Sequence, residues 1–181
     1  ADLLNVNLPD KIICKQILKI KNSCKDNDIK IRSAFTGAFT RVNHLAHPDK
    51  EIRDYWVSWF KRYIDVAIEI GASSIGSHPG ILTIKDNQDT SRRKERRHQN
   101  IESWHEVGRY AKEKNLEYIA WEPMSISREQ GHTIKDAKKF ISTQKSKSLK
   151  YGTTHTGGID DVSAIAFTKK GGLKDPTIVA Y

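Results

Sequence analysis

The 181-residue sequence has few cysteines and no long apolar run. Cys14 and Cys24 lie ten residues apart without CxxC spacing, so we expect reduced structural thiols, as in a cytosolic protein. No stretch approaches the roughly 18 apolar residues that a membrane span requires, and no basic-then-apolar leader opens the sequence. These absences exclude a membrane partner and predict a soluble, cytoplasmic protein.

Size and charge set the next limits. The chain is long enough for one domain, but it is shorter than the roughly 250 residues of an eight-unit barrel. With 31 Lys and Arg residues against 22 Asp and Glu, it carries a net charge of +9. That excess favours an anionic partner such as a phosphorylated metabolite or nucleic acid, although a solvated basic surface would explain it equally well.

Strand-like and helix-like segments alternate along the chain. A short extended piece at Leu3–Leu8 comes first, and a strand at Thr177–Tyr181 comes last. Between them the pattern predicts helices at Lys11–Lys25, Asp49–Ile70, Gln99–Lys114 and Ile134–Thr143, and strands at Ile29–Thr36, up to His78, and at Tyr118–Trp121. Alternation of this kind predicts an α/β fold with parallel strands and outer helices.

One predicted loop stands apart because it has almost no hydrophobic residues. Lys85–His98 carries two lysines and four arginines among its charged residues. We expect this loop to be a solvated face or a mobile lid; the alternative is a patch that gathers phosphate groups.

Two neighbouring strands are predicted to end in side chains that can bind metal or transfer protons. His78 follows one strand, and Glu122 follows the next, buried beside Trp121. Adjacent strands lie about 4.8 Å apart, so both side chains can reach one ion or substrate. A carboxylate and an imidazole suit Mn, Mg, Co or Zn, although two protein ligands alone bind such an ion poorly. The alternative for His78 is a hydrogen-bonded histidine that only ends a strand.

Weaker candidates surround this pair. His44, with His47, lies in the loop after the strand Ile29–Thr36 and could reach the mouth of a pocket. Arg128 and Glu129 follow Glu122 and could hold a substrate phosphate and a hydroxyl, although a salt bridge at a helix entry explains them equally well. A further set of metal-capable side chains has no recognisable geometry: His155, Asp160 and Asp161.

Four segments together resemble one known superfamily. They are Phe35–Arg41, His44–Pro48, Ile75–Gly80 and Trp121–Glu129, the last being the most specific. They resemble the xylose isomerase-like TIM barrels, and most of all the sugar-phosphate isomerases and epimerases that act on short ketoses such as tetrulose phosphates. The resemblance implies a single barrel domain over residues 1–181, with regular βα units over residues 1–140 and a divergent remainder.

The resemblance also implies roles for Glu122 and His78, and the sequence departs from the superfamily's pattern after Phe140. In the superfamily the glutamate at the Glu122 position binds a divalent metal and takes part in proton transfer, and the endonuclease IV branch uses a metal-binding histidine in a His-Pro-Gly context, as at His78. Members supply further ligands on later strands. Here no Leu-Asp-x-x-His-like strand follows Phe140, and the last strand lacks its glutamate. We therefore predict a TIM-barrel type fold that is partial or truncated.

The preferred hypothesis is a metal-dependent sugar or sugar-phosphate isomerase or epimerase that acts through an enediolate. Glu122 and Glu129 are its predicted catalytic residues, Glu122 and His78 its metal ligands, and His44, His78 and Arg128 its substrate-binding residues. Its partner is a small sugar phosphate rather than nucleic acid, and a homo-oligomer is compatible with it. Two alternatives remain: an endonuclease IV-like nuclease acting at abasic DNA, and a non-catalytic barrel fragment that self-associates through open sheet edges.

Overall fold

The structure is a computed structural model that describes residues 5–124, 126–136, 150–153 and 177–180. The chain divides into two compact units, Ala1–Gln130 and Gly131–Tyr181. The first unit holds four α-helices and three strands: α1 (Asp10–Asp26), β1 (Ser33–Phe35), α2 (Lys50–Glu69), β2 (Ser74–Ser77), α3 (Ile84–Gln88), α4 (Thr90–Glu113) and β3 (Tyr118–Trp121). A short 3₁₀ helix, Ala38–Val42, follows β1.

The strands of the first unit form one parallel sheet in the order β1-β2-β3. Phe35 pairs with Gly76, and Ser77 pairs with Trp121, so the carboxyl ends of the strands meet at one edge. Helix α2 connects β1 to β2, and α3 with α4 connects β2 to β3, which confirms the predicted βα alternation. In the second unit, β4 (Lys150–Thr153) and β5 (Thr177–Ala180) also pair in parallel.

The hydrophobic core lies between the sheet and the two long helices. Phe60 and Ile64 of α2 and Val107 of α4 are fully buried, and Ile75 of β2 is buried beneath them. The ring centroids of Phe60 and Trp104 lie 5.0 Å apart, which joins α2 to α4. Three tryptophans of these helices are also buried: Trp56, Trp59 and Trp104. Packing of this kind holds the loops at the carboxyl edge on a rigid base.

The prediction of a loop at Lys85–His98 is wrong, because this stretch is almost entirely helical. Thr83 caps α3 by accepting from the Asp86 amide, and Asp89 caps α4 by accepting from the Arg92 amide. Apolar periodicity missed α4's first turns because residues 90–98 are mostly exposed and the side chain that they bury, Arg96, is charged. The capping residues Thr83 and Asp89 could have indicated where the two helices begin.

Smaller differences concern the ends of the elements. Instead of an extended piece, residues 5–8 form a turn in which the Leu8 amide donates to the Asn5 carbonyl. The strand predicted over Ile29–Thr36 pairs only at Ser33–Phe35. Most of the helix predicted over Ile134–Thr143 lies outside the described residues, as do His155, Asp160 and Asp161. Across the part of the chain that the structure describes, none of the helices has the length and apolar character to cross a membrane.

Candidate active site

His78 and Glu122 meet at the carboxyl edge of the sheet, as the strand order predicts. The Glu122 amide donates to the Ser77 carbonyl at 3.0 Å, which continues the β2-β3 pairing by one residue. The Nδ1 atom of His78 lies 3.0 Å from the Glu122 carbonyl oxygen. The His78 ring is buried and packs edge-on against Phe35, with the centroids 5.6 Å apart. The histidine therefore contacts the backbone of Glu122, and its orientation is fixed.

The expectation that Glu122 is buried is wrong, because its side chain is exposed. Strand β3 lies at the edge of this three-stranded sheet, and all four of its residues are only half-buried. A carboxylate that follows such a strand keeps its water and has no desolvation cost to offset. Glu122 is accordingly open to an ion or a substrate.

The predicted metal site depends on which donor side chains lie near one another. Within the described residues, no cluster of three or more His, Cys, Asp or Glu side chains is placed to hold a metal ion. The Glu122 carboxylate and the Nε2 atom of His78 are suitable donors in kind, and they belong to adjacent strand ends. Two donors alone would bind such an ion poorly, so a complete ligand set would need donors from beyond the described residues.

The His78-Pro79-Gly80 segment is clamped by two buried asparagines. Asn43 donates to the His78 carbonyl at 2.9 Å, and Asn100 donates to the Pro79 carbonyl at 2.9 Å. Trp104 Nε1 also donates to the Pro79 carbonyl, at 2.7 Å. Both asparagines are fully buried, and sequence reasoning missed them because an asparagine in a loop or on a helix gives no local signal of such a role.

Gly80 completes this clamp. Its φ is +121°, and a Cβ at this position would lie 3.0 Å from Asn43 Oδ1 and 3.3 Å from Asn100 Nδ2. Only glycine combines that backbone angle with such a close approach. Glycine at position 80 is therefore required by the packing of the backbone, whatever His78 does chemically.

A second buried polar cluster links the ends of β1 and β2. Thr36 Oγ1 donates to Ser77 Oγ at 3.0 Å, Ser77 Oγ donates to Thr40 Oγ1 at 3.2 Å, and the Thr36 and Thr40 hydroxyls are hydrogen-bonded to each other. Thr40 and Ser77 are fully buried. Hydroxyl groups that satisfy one another in this way fix the loop after β1 against β2.

The Arg128–Glu129 segment folds back onto the loop after β2. The Leu82 amide donates to the Arg128 carbonyl, and Arg128 Nη1 donates to the Leu82 carbonyl, both at 2.9 Å. Glu129 is buried, and its Oε2 accepts from the Met124 amide at 3.0 Å. Glu129 thus positions the backbone two residues after Glu122, which gives it a structural role beside the catalytic one predicted.

A cleft of about 710 Å³ opens among the three loops that follow β1, β2 and β3. His44 and Arg128 line it, whereas His78, Glu122 and Glu129 are not among its lining residues. The remaining lining residues are Val42, Pro48, Ile81, Leu82, Thr83, Ile84, Lys85, Asp86, Arg92 and Arg96. The structure therefore brings together two of the predicted substrate-binding residues in the cleft and places the other predicted residues outside its lining.

His44 is the titratable residue of this cleft whose pKa shifts. Its ring packs against Trp56 and His47, with centroids 6.0 and 5.6 Å away. Loss of water on the packed side lowers the pKa of His44, and the charge of His47 lowers it further. His44 is therefore neutral at pH 7, when it can both donate and accept a hydrogen bond.

The family follows from a comparison along the sequence. The family model described as the xylose isomerase-like TIM barrel matches residues 7–152. The chain belongs to this family. Its parallel βα units and the placement of His78 and Glu122 at the carboxyl ends of the strands agree with the position at which TIM barrels build their active sites.

A curated relative shows closer similarity over part of the chain. The D-erythrulose 1-phosphate 3-epimerase of Brucella abortus (strain 2308) is 41% identical over 112 residues. That match includes 62% of this chain and 36% of the relative, so the chain spans little more than a third of the relative's length.

Solved structures share the barrel fold with this chain. A Rhodospirillum rubrum protein assigned to the xylose isomerases matches with a TM-score of 0.76 at 19% identity, over 99% of this chain and 78% of that one. A D-psicose 3-epimerase matches with a TM-score of 0.61 at 10% identity, over 96% of this chain and 70% of that one. At these identities the comparisons support the xylose isomerase-like fold alone.

Proposed function

We propose that this chain carries the site of an isomerase or epimerase that acts on a short ketose or ketose phosphate through an enediolate. The observation that carries the proposal is the meeting of His78 and Glu122 at the carboxyl edge of the sheet, with Glu122 open to solvent. The 41% identity to a D-erythrulose 1-phosphate 3-epimerase supports this reaction class and a small sugar phosphate as the partner.

The proposal includes dependence on a divalent metal: Mn, Mg, Co or Zn. Glu122 and the Nε2 atom of His78 are the proposed ligands among the described residues, completed by donors beyond them. When bound, such an ion would supply Lewis-acid stabilisation of the negative charge that develops on the substrate oxygens.

The chain's own groups would move the protons. Glu122 is exposed at the strand end, where a carboxylate can take a proton from a carbon beside a carbonyl group. Glu129, the second predicted catalytic carboxylate, is buried and holds the Met124 amide, so it would act from a fixed position. Return of the proton to the neighbouring carbon is isomerisation, and return to the opposite face is epimerisation.

The proposed substrate-binding residues divide into two groups. Arg128 and His44 line the cleft, where a guanidinium and a neutral imidazole suit a phosphate and a hydroxyl group. His78 is buried and lies outside the lining, so its contact with substrate would be limited to its Nε2 edge. We therefore propose that His44 and Arg128 bind the substrate and that the main role of His78 is to bind the metal.

Calorimetric titration of Mn²⁺ into metal-stripped protein tests the site. We expect micromolar binding that is abolished in Glu122→Gln. Glu117→Gln is the matched control, because Glu117 is an exposed glutamate at the opposite end of the same strand. Absence of binding to the parent chain, or equal loss in both variants, would refute the proposed metal role of Glu122.

The nuclease alternative retains one favourable observation, the basic cleft beside His78-Pro79-Gly80. It would require salt-dependent binding to abasic duplex DNA in excess of binding to undamaged duplex. Equal, weak binding to both duplexes would remove it. The predicted homo-oligomer stays a prediction that a sizing column can check.

A further inference from the structure

The cleft has an unbalanced charge. Four cationic side chains line it, Lys85, Arg92, Arg96 and Arg128, and the carboxylate of Asp86 is the anionic group among the lining residues. The formal excess is three positive charges, since His44 is neutral at pH 7. We propose that this cleft binds the phosphate group of the substrate, with Lys85, Arg92 and Arg96 joining Arg128 as phosphate-binding and positioning residues. The choice of a sugar phosphate rests on the proposed function, whereas the anion site rests on the cleft itself.

Two of the four cations are held in place by the protein. Arg96 is buried, and its Nε lies 3.6 Å from Asp86 Oδ1 while its Nη1 donates to Gln99. Asp86 is itself buried, and its Oδ2 accepts from the Thr83 hydroxyl at 2.7 Å. Arg128 is anchored to the Leu82 carbonyl. A buried charge is tolerated when it is paired, and Asp86 together with Glu95, whose Oε2 lies 3.3 Å from Arg96 Nη2, holds Arg96 in place beside the cleft.

The other two cations are available to a ligand. Lys85 and Arg92 are exposed, and neither forms an ion pair with another described residue. Both face the cleft from consecutive helices, α3 and α4. The site thus combines guanidinium groups that the protein holds in place with exposed cations that can contact an anion.

The shape of the cleft favours a small phosphate ester. Its volume of about 710 Å³ is typical of small-molecule sites, which range from roughly 300 to 1,000 Å³. Apolar side chains of Ile81, Leu82 and Pro48 form part of its wall and suit the carbon chain of a short sugar. Guanidinium forks match pairs of phosphate oxygens, which distinguishes a phosphate from a neutral ketose.

The test is calorimetric binding of glycerol 1-phosphate at pH 8, with glycerol as its neutral counterpart and without added metal. We expect the phosphate ester to bind and glycerol not to bind. Arg92→Gln should weaken binding about ten-fold, the usual size of one lost charge-assisted contact. Lys94→Gln, which removes the same charge from an exposed residue of the same helix outside the cleft, should leave binding unchanged.

The outcomes separate this inference from the proposed function. No binding to the parent chain, or equal weakening by both variants, would overturn the phosphate site, even if the protein epimerised a neutral ketose. Binding that Arg92→Gln weakens and Lys94→Gln does not would uphold the site, even if no ketose phosphate were converted. Lys85→Gln provides a second exposed variant with the same expected direction.

Discussion

The ends of β2 and β3 lie side by side, yet they are built differently. After β2, the chain through Gly80 is buried and is held by Asn43, Asn100 and Trp104. After β3, Glu122 is exposed on a half-buried edge strand. One side is thus a fixed, buried segment, and the other carries an accessible carboxylate. Stability should therefore depend on the first region, and ligand binding on the second.

Substitution of Gly80 should have the largest effect on stability. Gly80→Ala adds both backbone strain at φ +121° and a contact with Asn43, so we expect a loss of about 3 kcal/mol in the free energy of unfolding. Gly71→Ala is the control, because Gly71 has φ +97° but nothing within 4 Å of its Cβ position, and should cost only about 1 kcal/mol. Urea denaturation measures both. Equal losses would show that crowding at Gly80 is unimportant.

Loss of one clamp side chain should cost less. Asn43→Ala leaves the His78 and Thr40 carbonyls without this donor, and we expect a loss of about 2 kcal/mol. Asn27→Ala removes a comparable but exposed hydrogen bond to Ser23 and should cost about 0.5 kcal/mol or less. Thermal denaturation compares the two variants. A destabilised Asn27 variant beside a stable Asn43 variant would contradict the assignment of the clamp.

Substitution of Glu122 should weaken metal binding and leave the stability of the protein almost unchanged. Glu122→Gln is expected to change the free energy of unfolding by no more than about 0.5 kcal/mol, because its carboxylate is exposed and forms no ion pair with another residue that the structure describes. The same variant should lose Mn²⁺ binding. A loss of stability comparable to that of Asn43→Ala would show that Glu122 belongs to the fixed segment.

The smallest expected effect is the change in the pKa of His44. Its pKa in the folded protein should lie below the usual value of about 6.5, and His47→Gln should raise it only partly, since loss of water is the larger cause. The unfolded chain then binds a proton more readily, so stability is fully retained above about pH 6.5 and falls as the pH drops through the folded pKa. NMR titration of the His44 ring measures the shift. A pKa of 6.5 or higher would refute this description of the environment.

Local patterns in the sequence were sufficient for the parallel βα units and for the contact between His78 and Glu122, whereas they missed α3 and the first turns of α4. Alternating apolar periods identified the parallel βα units, and their order placed His78 beside Glu122. The exposure of Glu122 could not be read in this way, because it depends on which strand lies at the edge of the sheet. The burial of Arg96 could not be predicted for a similar reason, because it depends on pairing with Asp86, ten residues earlier in the chain.

The cap that α3 and α4 share sets the distance between the cations of the two helices. Asp89 ends one helix and begins the next, so no spacer separates them. Helix α4 is held in place by its buried residues Trp104 and Val107, so one residue inserted after Asp89 would displace the short α3, and Lys85 with it, relative to Arg92. For the proposed phosphate site, the length of this junction would therefore determine the size of the anion that both helices can contact together.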